Sequence, residues 1–122
     1  MKFPYEGGQG ALALLGGVVQ QQRLVVPPAV IVGVKSYRHA CRLAWKLRRV
    51  RNLSKRGLAE RCSLYLSHVS DYFSVHEMRR ELPARYIAAV EYELGNTVIS
   101  QWLAQQSQLT VLEEMQAQRR AA

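Results

Sequence analysis

Residues 55–74 read KRGLAERCSLYLSHVSDYFS, and the organisation of the chain hangs on how this stretch folds. Ser54, just before it, carries the short side-chain oxygen that accepts from a free backbone N–H at a helix start. A short helix is expected from about Lys55 to Cys62. Ser63-Leu64 reads as a tight turn, and a second short helix spans about Tyr65 to Ser74. On this second helix Leu66, Val69, Tyr72 and Phe73 share one face and are expected to pack inward. Ser67, His68, Ser70, Asp71 and Ser74 then face out.

The same periodicity extends in both directions. Upstream, Tyr37, Ala40, Cys41, Ala44 and Leu47 follow the i, i+3, i+4, i+7 spacing of one helix face. Arg38, Arg42, Lys46 and Arg49 fall on other faces and read as solvated. Downstream, Glu81-Leu82-Pro83 opens a further helix with proline at its first position, where the missing N–H costs nothing. Ile87, Val90 and Leu94 form its apolar face, and Gly95 ends it in the left-handed conformation. Asn96 caps a fifth helix with Ile99, Trp102 and Leu103 inward. The polar run Gln105–Gln108 breaks that helix. Thr110 and Glu113 then form a capping box that opens a last helix to about Gln118.

Residues 1–34 have a different character. They hold six of the eight glycines and three of the four prolines. Their apolar runs, Ala11–Leu15, Val18–Val19, Leu24–Val26 and Ala29–Val34, show no helical period. They read as a flexible or weakly structured arm, and a secretory leader fits poorly because Glu6 and three glycines separate Lys2 from the first apolar run. The composition change before Lys35 also fits translation from a later codon such as Val34. Three divisions follow: an arm (1–34), a helical domain (35–103) and a C-terminal extension (104–122).

The net charge of +8 sits almost entirely in one place. Residues 1–34 carry +1, residues 35–61 carry +9, and residues 62–122 carry −2. A concentrated basic segment points to a polyanionic partner. No apolar run reaches the ~18 residues of a membrane-spanning helix. Two cysteines cannot build a disulfide scaffold, so a cytoplasmic protein is expected.

Short helix, tight turn, short helix is the arrangement with which many proteins lay a helix in the DNA major groove. Ala59 is small where the second helix must cross the first. Ser63 stands at the turn, with Val69 and Tyr72 at packing positions beyond it. This spacing, with Leu58-Ala59-Glu60-Arg61, resembles the Xre/Cro/phage-repressor family of helix-turn-helix regulators over residues 35–103. Val69-Ser70-Asp71-Tyr72, Leu82-Pro83-Ala84 and the run Gly95–Leu103 look like small prophage-encoded members. The resemblance implies an all-α, lambda-repressor-like domain of about five helices that binds double-stranded DNA as a transcriptional regulator, with no cofactor. Ser63 departs from the pattern, because glycine is usual at that turn.

Ser67, His68, Ser70 and Asp71 are the base-reading candidates, since hydroxyls, imidazole and carboxylate can all pair with base edges. Asp71 has a second reading, as a holder of a neighbouring Arg or Lys. Lys55 and Arg56 at one helix start, with Arg79 and Arg80 beyond the other helix, are the phosphate candidates. Catalysis has little support: no nucleotide loop or nucleophile motif is present, and Gly7-Gly8-Gln9-Gly10 lacks a strand-to-helix context. Cys41 and Cys62 have no metal-ligand spacing and read as packed thiols. Trp102, Leu109 and Leu112 are candidates for a homodimer contact. Two alternatives stand beside the regulator: an antitoxin that binds DNA and a toxin partner, and a protein-interaction module that binds no DNA.

Overall fold

The computed structural model describes residues 22–121, so the expectations for the glycine loop and the first two apolar runs lie outside the described residues. The helices are α1 (Pro28–Val32), α2 (Tyr37–Lys46), α3 (Lys55–Cys62), α4 (Leu66–Tyr72), α5 (Ile87–Leu94) and α6 (Val98–Ala121), with a 3-10 turn at Ala84–Tyr86. The described residues are all-α. Their β structure amounts to an isolated parallel bridge between Leu24 and Asn96.

Each helix start has a local cause. Ser36 accepts from the His39 N–H at the head of α2 (3.1 Å), and Ser54 accepts from the Gly57 N–H at the head of α3 (3.0 Å). Between α3 and α4, Ser63 takes φ 57° and ψ 45°, the left-handed region, as a described non-glycine residue with positive φ. The Leu64 N–H then donates to the Ala59 carbonyl (2.8 Å) and closes the end of α3. Ala59 is buried at the α3–α4 contact, and Leu58, Val69, Val90, Leu94, Val98 and Ile99 form the fully buried centre.

Two helix boundaries differ from the sequence reading. Pro83 does not begin a helix: its ψ of 143° is extended, and the 3-10 turn precedes α5, which starts at Ile87. Its apolar face of Ile87, Val90 and Leu94 is buried as expected, and Gly95 ends it at φ 77°. A Cβ at Gly95 would also come within 2.8 Å of the Arg49 side chain. The second difference is larger. α6 does not break at Gln105–Gln108 but runs unbroken from Val98 to Ala121, about 36 Å at 1.5 Å per residue. The Thr110 hydroxyl donates back to the Gln106 carbonyl (3.1 Å) in place of a capping box. Gln, Leu, Glu, Met and Ala all propagate a helix, and no Gly or Pro interrupts the run.

The start of α6 is held by two buried polar groups. Asn96 accepts from the Val98 N–H (3.3 Å) and donates to the Ala44 carbonyl of α2 (2.9 Å). The buried Glu91 carboxylate accepts from the Ser100 N–H (2.8 Å) and hydroxyl (2.6 Å), so α5 supplies an anion to the first turn of α6.

The expected arm changes character within its own length. Leu24 exchanges backbone hydrogen bonds with Gly95 (2.9 Å) and Thr97 (3.0 Å). The Gln101 side-chain amide pairs with both the N–H and the C=O of Val26 (3.1 and 2.9 Å). Val26, Ile31 and Val34 are buried. Residues 24–34 therefore pack against the helices, and a chain begun at Val34 would lose Val26 and Ile31 from the core. Their burial has no period to betray it, because α1 is only five residues long and meets the core through Ile31 alone. No described helix is long and apolar enough to cross a membrane.

Candidate nucleic-acid interface

The outward face of α4 is shaped by a residue that the sequence reading placed in solvent. Arg38 of α2 is 6% exposed. Its Nη1 donates to the carbonyls of Asp71 (2.7 Å) and Ser74 (3.2 Å), and its Nη2 donates to those of Arg79 (2.5 Å) and Arg80 (3.1 Å). Nε is buried without a partner. The guanidinium thus sits at the carbonyl end of α4, where the helix dipole favours a cation, and ties the following loop to it. A signal for this was present: Arg38 lies three and seven residues before Cys41 and Trp45, which places it along the edge of the buried stripe of α2.

Asp71 faces the same loop. Its carboxylate holds Arg80 Nη1 at 2.9 Å and lies 3.7 Å from Arg79 Nη1. The geometry realises the second reading of Asp71, a holder of neighbouring arginines, since both carboxylate oxygens are engaged there. His68 is half-buried and meets the Tyr65 ring edge-on at 5.1 Å. Ser67 and Ser70 are exposed. Of the four base-reading candidates, then, two serines are open, His68 is turned toward a cleft, and Asp71 is occupied.

The phosphate candidates come from two elements. Lys55 and Arg56 occupy the first turn of α3, with no ion pair among the described residues. Arg79 and Arg80 project from the loop that Arg38 and Asp71 hold. Other members of the basic segment have structural work. The Arg48 guanidinium lies 4.2 Å over Trp45 and donates to the carbonyls of Trp45, Arg51 and Leu53. Arg61 pairs with Glu93 of α5 at 3.3 Å. Tyr65, 74% exposed at the residue before α4, was not among the candidates. The sequence reading begins the helix at Tyr65 but assigns it to neither face, whereas in the structure it is the residue before the first helical turn.

The packing residues Ala59, Val69 and Tyr72 are buried, and Ser63 makes the turn. Burial pushes the Cys41 thiol up to about 12 and raises that of Cys62; burial, then Cys41, raises the Tyr37 hydroxyl, which donates to the Leu82 carbonyl at 2.6 Å. No group of His, Cys, Asp and Glu able to hold a metal occurs among the described residues. Trp102, expected at a dimer contact, is spent within the chain: its Nε1 donates to the Val34 carbonyl (3.2 Å) and its ring lies 6.3 Å from Tyr37. Leu109 and Leu112 are about half exposed on the projecting part of α6. Comparison of the chain with protein families, with curated proteins and with solved structures found no match.

Proposed function

We propose that the chain is a sequence-specific double-stranded-DNA-binding regulator of the lambda-repressor-like helix-turn-helix type, not an enzyme, with α4 as the helix that enters the major groove. The observation that carries this reading is the exposure of Ser67 and Ser70 on α4 beside Asp71, which holds Arg79 and Arg80 against the same helix. Serine hydroxyls can pair with base edges, and arginines held beside such a helix, together with Lys55 and Arg56 at the head of α3, can engage phosphates. Asp71 acts in this scheme by holding Arg79 and Arg80. Leu109 and Leu112 on the projecting half of α6 support a homodimer, whose two-fold axis would match a two-fold site with half-sites about 34 Å apart.

Selection of bound duplexes from a random pool by the full chain tests the reading. The expected outcome is one enriched two-fold motif, with log K falling against log salt at a slope of about −4 to −5 per subunit if ~5 phosphates are neutralised. No enrichment, and no duplex binding at low salt, would overturn it. The same exposed stretch of α6 also favours the antitoxin reading, which co-purification of a stoichiometric small protein would establish.

A further inference from the structure

On the flank of α4 the structure holds a cleft of about 520 Å³, within the size range of small-molecule sites. Tyr65 and His68 line it on the α4 side, Arg80 and Arg85 with Tyr86 on the other. Aromatic rings and guanidiniums both line it. Tyr65 and His68 meet edge-on at 71°, and the Arg85 guanidinium lies 4.6 Å over the Tyr86 ring. Two guanidiniums face the cleft against one lining carboxylate, Glu81, while Asp71 reaches Arg80 from outside the lining. A bare anion would leave the aromatic walls unused, and a neutral ring would leave the guanidiniums unused.

We propose that this cleft binds a small anion of the nucleoside monophosphate class, its planar base against Tyr65, His68 and Tyr86 and its phosphate between Arg80 and Arg85. Guanidiniums bind phosphate oxygens with paired hydrogen bonds, and bases stack on aromatic faces without regard to sequence. Arg80 is shared between this site and Asp71, so an occupant competes with Asp71 for the residue that faces DNA. Occupancy therefore weakens duplex binding, and by linkage the duplex weakens the nucleotide to the same factor. This regulatory half rests on the DNA reading; the nucleotide site itself does not. The same base-plus-phosphate chemistry is also present in a DNA strand, and the two sources are separable.

The test is calorimetric titration of the full chain with AMP, GMP, CMP and UMP, with adenosine and inorganic phosphate as separate arms, and with a short duplex. At least one mononucleotide is expected to bind near or below about 1 mM, with adenosine and phosphate each at least about tenfold weaker, a difference of ~1.4 kcal/mol. Arg85→Gln is expected to weaken the mononucleotide by at least about tenfold with an unchanged melting temperature, because Arg85 is exposed. The site is overturned if none of the four binds at about 10 mM, if phosphate alone binds equally well, or if Arg85→Gln leaves affinity unchanged. It is also overturned if the duplex binds but no mononucleotide does, which assigns the chemistry to the DNA strand. Mononucleotide binding with no duplex binding keeps the site and removes the DNA reading. Mononucleotide binding that leaves duplex affinity unchanged removes the regulatory half.

Discussion

Replacing Arg38 with methionine keeps most of the buried aliphatic stem and removes every donor. Four carbonyls, those of Asp71, Ser74, Arg79 and Arg80, then lose their partner. An unsatisfied buried acceptor costs about 1–3 kcal/mol. The four do not add fully, because residues 75–80 are exposed and their backbone can open to water. Removing Arg38 also relieves the desolvation of a buried charge and its unpaired Nε. The expected net loss is about 2–4 kcal/mol, or roughly 10–25 °C in melting temperature for a domain near 100 residues. The loss has a location. Hydrogen exchange should accelerate first in the amides following α4, because the guanidinium is what ties that loop to the helix. Arg38→Lys keeps a cation but not the planar fork and should fall between the two. Thermal melts followed by circular dichroism, with exchange read by mass spectrometry, give both numbers. If Arg38→Met melts within about 3 °C of the parent and leaves exchange over 73–80 unchanged, the clamp contributes nothing and the reasoning fails.

Asp71→Asn should change stability by less than about 1 kcal/mol, since its arginine partners are more than half exposed. Duplex affinity should then change by a similar factor for all sequences; relaxed preference at a single base pair, measured by competition binding, would return Asp71 to the base readers. Ser63→Gly removes the steric cost of φ 57° while raising unfolded-chain entropy, for a net gain of about 0.5–1 kcal/mol in denaturant melts; a loss would mean that the serine side chain contributes something of its own. Folded-state pKa values of Cys41 and Tyr37 are raised by burial, so the folded chain retains these protons longer than the unfolded chain. Stability is fully present below the ordinary values of 9.0 and 10.0 and is lost as pH rises above them. Urea midpoints should therefore fall from about pH 9 upward, less so in Cys41→Ala after allowance for its neutral-pH cost. A midpoint flat to pH 11 would refute the assignment.

The sequence by itself determined the parts whose cause is local. Ser36 and Ser54 start their helices because a side-chain oxygen three residues upstream satisfies a free N–H, which needs no distant partner. Gly95 ends α5 for a similar reason: its φ of 77° is cheap only without a Cβ. The apolar period placed Ala40, Cys41, Ala44, Val69, Val90 and Leu94 inward, because burial follows the 3.6-residue repeat wherever a helix lies against one core.

Tertiary structure decided whatever depends on a partner far along the chain. Arg38 reaches carbonyls 33 to 42 residues away, so its position in the sequence cannot show whether those groups or water receive it. Asp71 carried two readings until the loop placed Arg79 and Arg80 beside it. Residues 24–34 looked like an arm because their contacts, Val26 with Gln101 and Leu24 with Gly95 and Thr97, span more than 70 residues. Continuity of α6 past Gln108 was a contest between a local capping pattern and uninterrupted helix propagation. Propagation won because each added residue gains a backbone hydrogen bond, whereas a new start must bear the cost of nucleation again.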